Sequence, residues 1–285
     1  MSQNKQNKPE ISVLMSIYAE SADAIAISVE SILNQTFANF EFIIVNDNPA
    51  RADTLKIVDK LSTKDERIQV LTNDRNRGLG YALNAAIQCS RADIVARMDT
   101  EDISFPERFT KQISFMKAHP DVDLLFTQWI DLNEYDEMIV RQPRRKDFIN
   151  INRSFFTKSL LMHPTLVARK EVLLDNPYPE MGRPEDIVLW LQLMRKGYTF
   201  DVIEEPLYRY RIDKINVAQR YAKIKQGSEN LLPHLVRESR HYWSNIYFWL
   251  YFSRTVFEYL VSRHILVFKL LNARAVRVWK ALFGT

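Results

Sequence analysis

The sequence predicts an α/β protein: a mostly parallel central sheet flanked by helices, with a helical extension at the C-terminal end. Three observations carry this. Between Ile11 and Asp99, apolar runs of strand length alternate with segments of helical period, the pattern of a parallel sheet covered on both faces. These strands end at polar residues, Tyr18, Asp47 and Asp99, and in such sheets ligands bind beyond the C-terminal strand ends. From about Asn216 onward the pattern is helical only.

Taken in order, Ile11 to Ile17 is an apolar strand, and Asp23 to Gln35 a helix with Ala24, Ile27, Ile32 and Leu33 available to a core. Phe40 to Val45 is a second buried strand, ending at Asn46-Asp47-Asn48-Pro49. A helix through Thr54 to Leu61, a strand Ile68 to Leu71, a turn at Asn76-Arg77-Gly78 and a helix from about Gly80 to Gln88 follow. Ile94, Val95, Ala96 and Met98 read as a short, mostly buried strand. Pro106 to Ala118 is a helix with proline at or near its first turn. Val122 to Thr127 and Ile139 to Arg141 are expected strands, and Thr165 to Ala168 a short one. Glu185 to Lys196 is a helix closed by Gly197. Phe200 to Val202 and Leu207 to Arg211 are the last strands. The expected organisation is a disordered polar lead over 1–10, an α/β domain over 11–215 and a helical, aromatic and basic extension over 216–285.

Composition narrows the class. Hydrophobic residues at 46% and charged residues at 26% fit a folded globular chain and exclude a disordered one. Cys89 is the single cysteine, which excludes an intrachain disulfide and fits a reducing compartment. Met1 to Glu10 is polar and lysine-bearing, without the apolar core of a signal peptide, so a cytoplasmic location is expected. Net charge is +4, but it is unevenly placed. Residues 241–285 hold Arg254, Arg263, Lys269, Arg274, Arg277 and Lys280 against Glu258 alone, a net +5 that leaves −1 for the body. That distribution points to a local anionic partner, not to nucleic acid.

The chemistry concentrates in Asp99-Thr100-Glu101-Asp102, where three carboxylates crowd a strand end. They repel one another and call for a balancing positive charge. A hard divalent cation with a phosphate behind it is one answer; a solvated acidic turn is the other. The loop Asn76-Arg77-Gly78-Leu79-Gly80-Tyr81-Ala82-Leu83-Asn84 invites a dinucleotide reading, but Leu83 stands where the third glycine belongs and the loop follows the third strand. Its glycines read more simply as letting the next helix pack closely. Asp47 suits either an Asx-turn or a hydrogen bond to a nucleobase edge. Glu185-Asp186 suits either a helix first turn or a general base. His163, before Pro164, reads as structural, and Trp190 with Leu193 as core.

Together these segments resemble the family 2 glycosyltransferases, inverting enzymes of the GT-A (Rossmann-like) fold, from about Ile11 to Arg211. Ile11-Ser-Val-Leu-Met-Ser-Ile-Tyr18 is similar to the family's first strand and nucleotide-binding turn. Ser31-Ile-Leu-Asn-Gln-Thr-Phe37 with Phe40-Glu-Phe-Ile-Ile-Val-Asn-Asp47 is similar to its most recognisable stretch. Asn76 to Asn84 resembles its N-x-G-x-x-x-A-x-N segment, and Ala96 to Ser104 with Pro106-Glu107-Arg108 its DxD region. His163-Pro164 and Glu185-Asp186-Ile-Val-Leu-Trp190 resemble its acceptor-side motifs.

The resemblance implies roles. Ser16, Tyr18, Glu20, Asp47, Asn76, Gly78, Asn84, Arg97, Asp99 and Asp102 would serve the nucleotide and donor sugar. Glu101, in place of the second Asp of DxD, and Asp99 would hold Mn²⁺ or Mg²⁺. Asp186 would be the base, with Glu185 beside it, and His163, Trp190 and Arg211 would lie on the acceptor and diphosphate side. The donor would be a nucleotide sugar, a UDP-sugar first, and the acceptor a saccharide on a lipid diphosphate. Three departures stand out: Glu101 adds a methylene, Asn46-Asp47-Asn48-Pro49 lacks the common Asp-Gly-Ser ending, and Arg211 replaces a frequent His. A nucleotidyltransferase on a similar fold, or an inactive scaffold with a partner-binding tail, stay open as alternatives.

In the tail, the longest uncharged run, Tyr242 to Ser253, is 12 residues, and a membrane span needs about 20. Ile246, Trp249, Leu250, Ser253, Phe257, Leu260, His264, Val267, Phe268 and Leu271 fall near one helical face. That stripe either packs on the α/β domain or lies in a membrane interface, with its basic residues meeting anionic lipid at the cytoplasmic face.

Overall fold

The protein is described by a computed structural model over residues 8–132, 138–141, 151, 155–156, 161–211 and 217–262. Most of the segment 142–156 lies outside the described residues, as do Arg263 and the later basic and apolar residues of the tail. The chain divides into two compact units.

The first unit comprises Met1–Arg145, Met162–Glu180 and Tyr198–Ile212. Its described strands are β1 (Ile11–Ile17), β2 (Phe40–Asn46), β3 (Ile68–Thr72), β4 (Ile94–Met98), β5 (Ile103–Ser104), β6 (Leu124–Leu132), β7 (Met138–Arg141), β8 (Val167–Arg169) and β9 (Phe200–Arg211). They form one sheet in the order β3-β2-β1-β4-β8-β6-β9-β5, with β7 also on β6. The pairings give β1, β2, β3, β4, β6 and β9 one direction, while the short β5, β7 and β8 run against it. The sheet is thus mostly parallel in strand direction. Every residue of β2 is buried, and all of β1 except Ser16, because helices cover both faces.

Helices α1 (Ala22–Leu33), α2 (Ala52–Ser62), α3 (Leu79–Cys89), α4 (Arg108–Ala118) and α5 (Lys170–Asp175) belong to this unit. Ser21 caps α1 by accepting the Ala24 N–H at 3.2 Å, and Ile25, Ser28, Val29 and Ile32 form its buried face. In α3 the buried residues are Gly80, Ala82, Leu83, Ala86 and Ile87. Gly80 permits a close approach: a Cβ there would lie 2.5 Å from the Pro179 carbonyl oxygen.

Some elements differ from expectation. Pro106 precedes α4, because its carbonyl accepts the Thr36 N–H at 2.9 Å and ties it to the end of α1. The two final strands are one, β9, which carries Pro206 opposite Gln128 of β6 at a register irregularity. Proline cannot donate to the ladder, and a bulge accommodates it. The segment expected as a strand from Thr165 begins as a 3-10 turn, His163–Thr165, with β8 following.

The second unit comprises Lys146–Leu161, Met181–Gly197 and Asp213–Thr285. Its described helices are α6 (Glu185–Lys196), α7 (Val217–Glu238) and α8 (Ile246–Ser262). Gly197, at φ +84°, closes α6 in the left-handed conformation that glycine adopts without penalty. The core is aromatic: Phe156 meets Tyr242, Phe248 and Tyr251 at 5.6, 5.6 and 5.8 Å between ring centres. Phe248 is fully buried, whereas Ile246, Trp249, Phe257 and Leu260 of the expected stripe are exposed, with Trp243 beside them. No helix among the described residues is long and apolar enough to cross a membrane.

Candidate active site

The C-terminal ends of β1, β2, β4 and β9 lie on one side of the sheet, and the predicted residues of the first unit gather there and in the loops that follow. The acid loop after β4 is sorted by its neighbours. Arg97, the next-to-last residue of β4, is buried and grips Asp99 with both guanidinium nitrogens, Nη1 to Oδ2 at 2.9 Å and Nη2 to Oδ1 at 2.5 Å. Asp102 turns inward, 3% exposed, and accepts the Tyr208 hydroxyl and the Arg211 N–H, each at 2.9 Å. Burial, and then the charge of Asp99, hold its carboxyl well above the usual carboxylate range. Between them Glu101 adopts φ +75°, a left-handed conformation that costs a non-glycine residue about 1 kcal/mol or more. The side chain of Arg211 reaches over this turn, Nε to the Glu101 carbonyl at 3.3 Å. The positive charge that three carboxylates require is therefore supplied partly from within, by Arg97.

Two residues beneath the loop were given no role by the sequence reading, although Arg108 stands in the segment that resembles the DxD region. Tyr208, fully buried in β9, also accepts the Asp99 N–H on its hydroxyl at 3.2 Å. Arg108 is fully buried too, its guanidinium 5.1 Å from the Tyr208 ring centre and bonded to the Arg97 carbonyl at 3.0 Å and Gln112 at 2.9 Å. Burial pulls Arg108 down to about 10, so it remains a cation at neutral pH. One signal could have found it: Arg108 and Gln112 are polar residues on the face of α4 that Phe109, Ile113 and Met116 make apolar.

At the end of β2, Asp47 is almost fully committed to the protein. It accepts from Asn73 Nδ2 at 2.7 Å, from the Arg77 N–H at 2.9 Å and from the Gly78 N–H at 2.8 Å. Gly78, at φ +85°, is the N-cap of α3 and supplies no side chain, so Asp47 and Asn76, whose Oδ1 accepts the same Gly78 N–H at 3.0 Å, stand in as the cap. The Asx-turn is made by Asn46, which accepts the Asn48 N–H at 3.0 Å. Glu20 folds back onto the turn after β1, accepting the Tyr18 and Ala19 N–H groups at 2.7 and 3.1 Å. Tyr18 is 45% exposed beside it. Ser16 is half-buried on β1, opposite Val45.

Asn84 and His163 face a segment remote in sequence. The Asn84 amide donates to the Tyr178 carbonyl at 2.8 Å and accepts its N–H at 2.9 Å. His163 is buried, with Nε2 2.8 Å from the Tyr178 hydroxyl. Burial and the charge of Arg97 hold its ring well below its ordinary value of 6.5, so it is neutral.

In the second unit, Glu185 and Asp186 open α6 after Pro184, which offers no cap. Asp186 is half-buried, and its Oδ1 accepts the Ile187 N–H at 2.9 Å. Glu185 is buried, and Trp190 is buried one turn further on. Tyr251 lies within electrostatic range of Asp186, whose charge adds to burial in keeping that phenol protonated.

A sheet of this order, with carboxylates and a helix N-terminus gathered at its strand ends, belongs to the ligand-binding α/β enzymes. Residues 12–175 match the family described as Glycosyl transferase family 2, and the chain belongs to that family. It is 33% identical over 273 residues to the uncharacterized glycosyltransferase MJ1057 of Methanocaldococcus jannaschii, covering 94% of each chain. The amylovoran biosynthesis glycosyltransferase AmsE of Erwinia amylovora is 33% identical over 219 residues, 75% of this chain and 81% of its own. The UDP-Gal:alpha-D-GlcNAc-diphosphoundecaprenol beta-1,3-galactosyltransferase of Escherichia coli is 30% identical over 227 residues, 76% of this chain and 79% of its own. Two solved structures show the GT-A fold. The mannosyltransferase PcManGT from Pyrobaculum calidifontis, in complex with GDP-Man and Mn²⁺, superposes with a TM-score of 0.63 at 17% identity over 98% of this chain and 85% of its own. S. aureus TarS in complex with UDP gives 0.58 at 20% identity over 78% of this chain, which spans 65% of the TarS chain.

Proposed function

We propose that this protein is an inverting glycosyltransferase that moves a sugar from a nucleotide sugar, a UDP-sugar, to a hydroxyl of a saccharide carried on a lipid diphosphate. The setting would be assembly of a bacterial surface polysaccharide at the cytoplasmic face of the membrane. The observation that carries this is the sorted acid loop in a family 2 chain: Asp102 turns into the protein, while Asp99 and Glu101 remain partly exposed at the end of β4. The E. coli relative, named for UDP-Gal and a diphosphoundecaprenol-linked sugar, supports the donor and acceptor classes.

The donor set fits Mn²⁺ or Mg²⁺. Asp99 and Glu101 offer only oxygen, and such ions take one or two carboxylates from a protein when substrate phosphates complete their shell. When bound, the ion would neutralise charge growing on the departing diphosphate. Arg97 would hold the Asp99 carboxylate toward the donor. Tyr18, Ser16, the Glu20-braced turn and the Asn73–Gly78 loop held by Asp47 would form the nucleotide end. Arg211 would meet a diphosphate through its planar guanidinium fork, with His163 and Trp190 on the acceptor side.

Asp186 would accept the proton of the acceptor hydroxyl as its oxygen attacks the anomeric carbon. A carboxylate at a helix N-terminus is favoured electrostatically. The nucleoside diphosphate leaves from the opposite face, so configuration inverts and no covalent enzyme intermediate forms. Asp186→Asn should abolish transfer and leave UDP binding intact; a fully active variant refutes the base assignment. Product analysis decides against a nucleotidyltransferase, which would release pyrophosphate instead of a nucleoside diphosphate. Calorimetry with Mn²⁺ and UDP decides against an inactive scaffold, which would give no binding heat.

The exposed face of α8 supports a peripheral membrane contact. Trp243, Ile246, Trp249, Phe257 and Leu260 are exposed, Arg237 and Arg240 are exposed nearby in the chain, and residues 241–285 carry a net +5. Aromatic and aliphatic side chains beside cations suit the boundary between headgroups and acyl chains of anionic lipid.

A further inference from the structure

The acid loop is fastened at one atom that the functional reading does not use, the hydroxyl of Tyr208. It donates to Asp102 Oδ2 at 2.9 Å and accepts the Asp99 N–H at 3.2 Å. The other Asp102 oxygen accepts the N–H of Arg211, three residues further along β9. The residues on both sides of Glu101 are thus tied to one strand. A left-handed glutamate such as Glu101, at φ +75°, persists only where its surroundings impose that conformation. Below, the Tyr208 ring lies 5.1 Å from the buried Arg108 guanidinium, which in turn holds the Arg97 carbonyl at 3.0 Å. The hydroxyl is therefore held from beneath as well. A phenylalanine ring would fill the same buried space, so the oxygen contributes hydrogen bonds and not packing.

We propose that Tyr208 is a positioning residue: acting through Asp102 and the Asp99 main chain, it fixes the turn on which Glu101 and Asp99 face the cation of the donor diphosphate. The inference rests on the reading of Glu101 and Asp99 as cation ligands and adds to it a residue that touches neither cation nor donor. Groups that orient metal-binding carboxylates account for about 10–100-fold in metal affinity.

Tyr208→Phe removes the hydroxyl alone. Mn²⁺ binding in the presence of UDP, read from the electron paramagnetic resonance of the free ion, should weaken about tenfold. Hydrogen exchange of the peptide covering Asp99 to Ile103 should quicken, while peptides from β1 and β2 keep the wild-type rate. Asp102→Asn should weaken Mn²⁺ binding similarly, and the double variant should lose less than the two single losses combined, because the Tyr208–Asp102 hydrogen bond is common to both. Wild-type Mn²⁺ affinity in Tyr208→Phe overturns the proposal. So does additive loss in the double variant, or exchange quickened across the whole sheet, which marks a packing role. Wild-type protein that binds no Mn²⁺ with UDP, or Glu101→Gln that binds it as well as wild type, brings down the cation reading and this proposal with it. The two failures are told apart by the protein that shows them.

Discussion

Asp47 offers the sharpest separation between a residue that reads a nucleotide and one that builds the pocket. Asp47→Asn keeps the shape and exchanges one oxygen for an NH₂. Oδ1 receives two donors, Asn73 Nδ2 and the Arg77 N–H, so the amide keeps its oxygen there and turns its nitrogen to the Gly78 N–H. That bond, 2.8 Å in the native protein, becomes donor against donor. A hydrogen bond to a charged group contributes about 1.5–3 kcal/mol. Loss of the negative charge at the N-terminus of α3 adds about 0.3–1 kcal/mol. The Gly78 N–H retains Asn76 Oδ1 at 3.0 Å, which places the expected loss near the low end, about 2 kcal/mol. Urea unfolding of wild type and variant measures it, with UDP affinity by calorimetry alongside. If the variant is destabilised by less than about 0.5 kcal/mol, the range of ordinary surface changes, and only UDP affinity falls, then Asp47 reads the base and the capping argument is wrong.

Three further outcomes follow from the same physics. Below pH 6.5, the unfolded chain takes up a proton at His163 that the folded chain refuses, so stability rises with pH in that window and levels off above it. The wild type should lose up to about 1.4 kcal/mol per pH unit more than His163→Gln between pH 6.5 and 5.5, and equal slopes in urea unfolding would contradict the burial argument. Gly80→Ala gains up to about 1 kcal/mol of helix propensity but drives a Cβ to 2.5 Å from the Pro179 oxygen; overpacking against main chain costs about 1–3 kcal/mol, so the variant should melt lower, and a rise in Tm would refute it. Wild type should float with anionic vesicles and be released by high salt, and Trp243→Ser with Leu260→Ser should not float; a wild type that stays soluble at low salt removes the membrane reading.

Some of this molecule could be read without coordinates because the signals are local. The run Ile11–Ile17 is apolar except for Ser12 and Ser16 because both its faces are covered, and Gly197 marks the end of α6 because a left-handed residue stops it there. Tyr18, Asp47 and Asp99 stood out as the polar residues ending buried strands. What resisted reading is tertiary. β9 runs unbroken through Pro206 because the extra residues at its register shifts against Thr127–Ile130 of β6 lie on β9 itself, an irregularity that only the pairing of the two strands reveals. Asp102 meets Tyr208 across 106 positions, and Asn84 meets Tyr178 across 94; no spacing rule spans such distances. In the tail, helical period defined a stripe, but the inward face was decided by Phe155 and Phe156, which come about ninety residues earlier in the chain. The acid cluster was legible as a charge problem, and its internal solution by Arg97 was not.

The tie between α3 and the Tyr178–Pro179 segment has a consequence for how such chains diverge. Asn84 binds the N–H and C=O of Tyr178, and Gly80 leaves room for the Pro179 carbonyl. On one side the contact depends on side-chain identity; on the other it is written in main-chain atoms that every residue except proline carries. Substitution at 179 is invisible to Gly80, whereas substitution at 80 or 84 is felt at once. Related chains should therefore hold positions 80 and 84 while 179 drifts, and the pairs 80–179 and 84–178 should show no correlated change although they touch. Contact inference from covarying positions would pass over this junction.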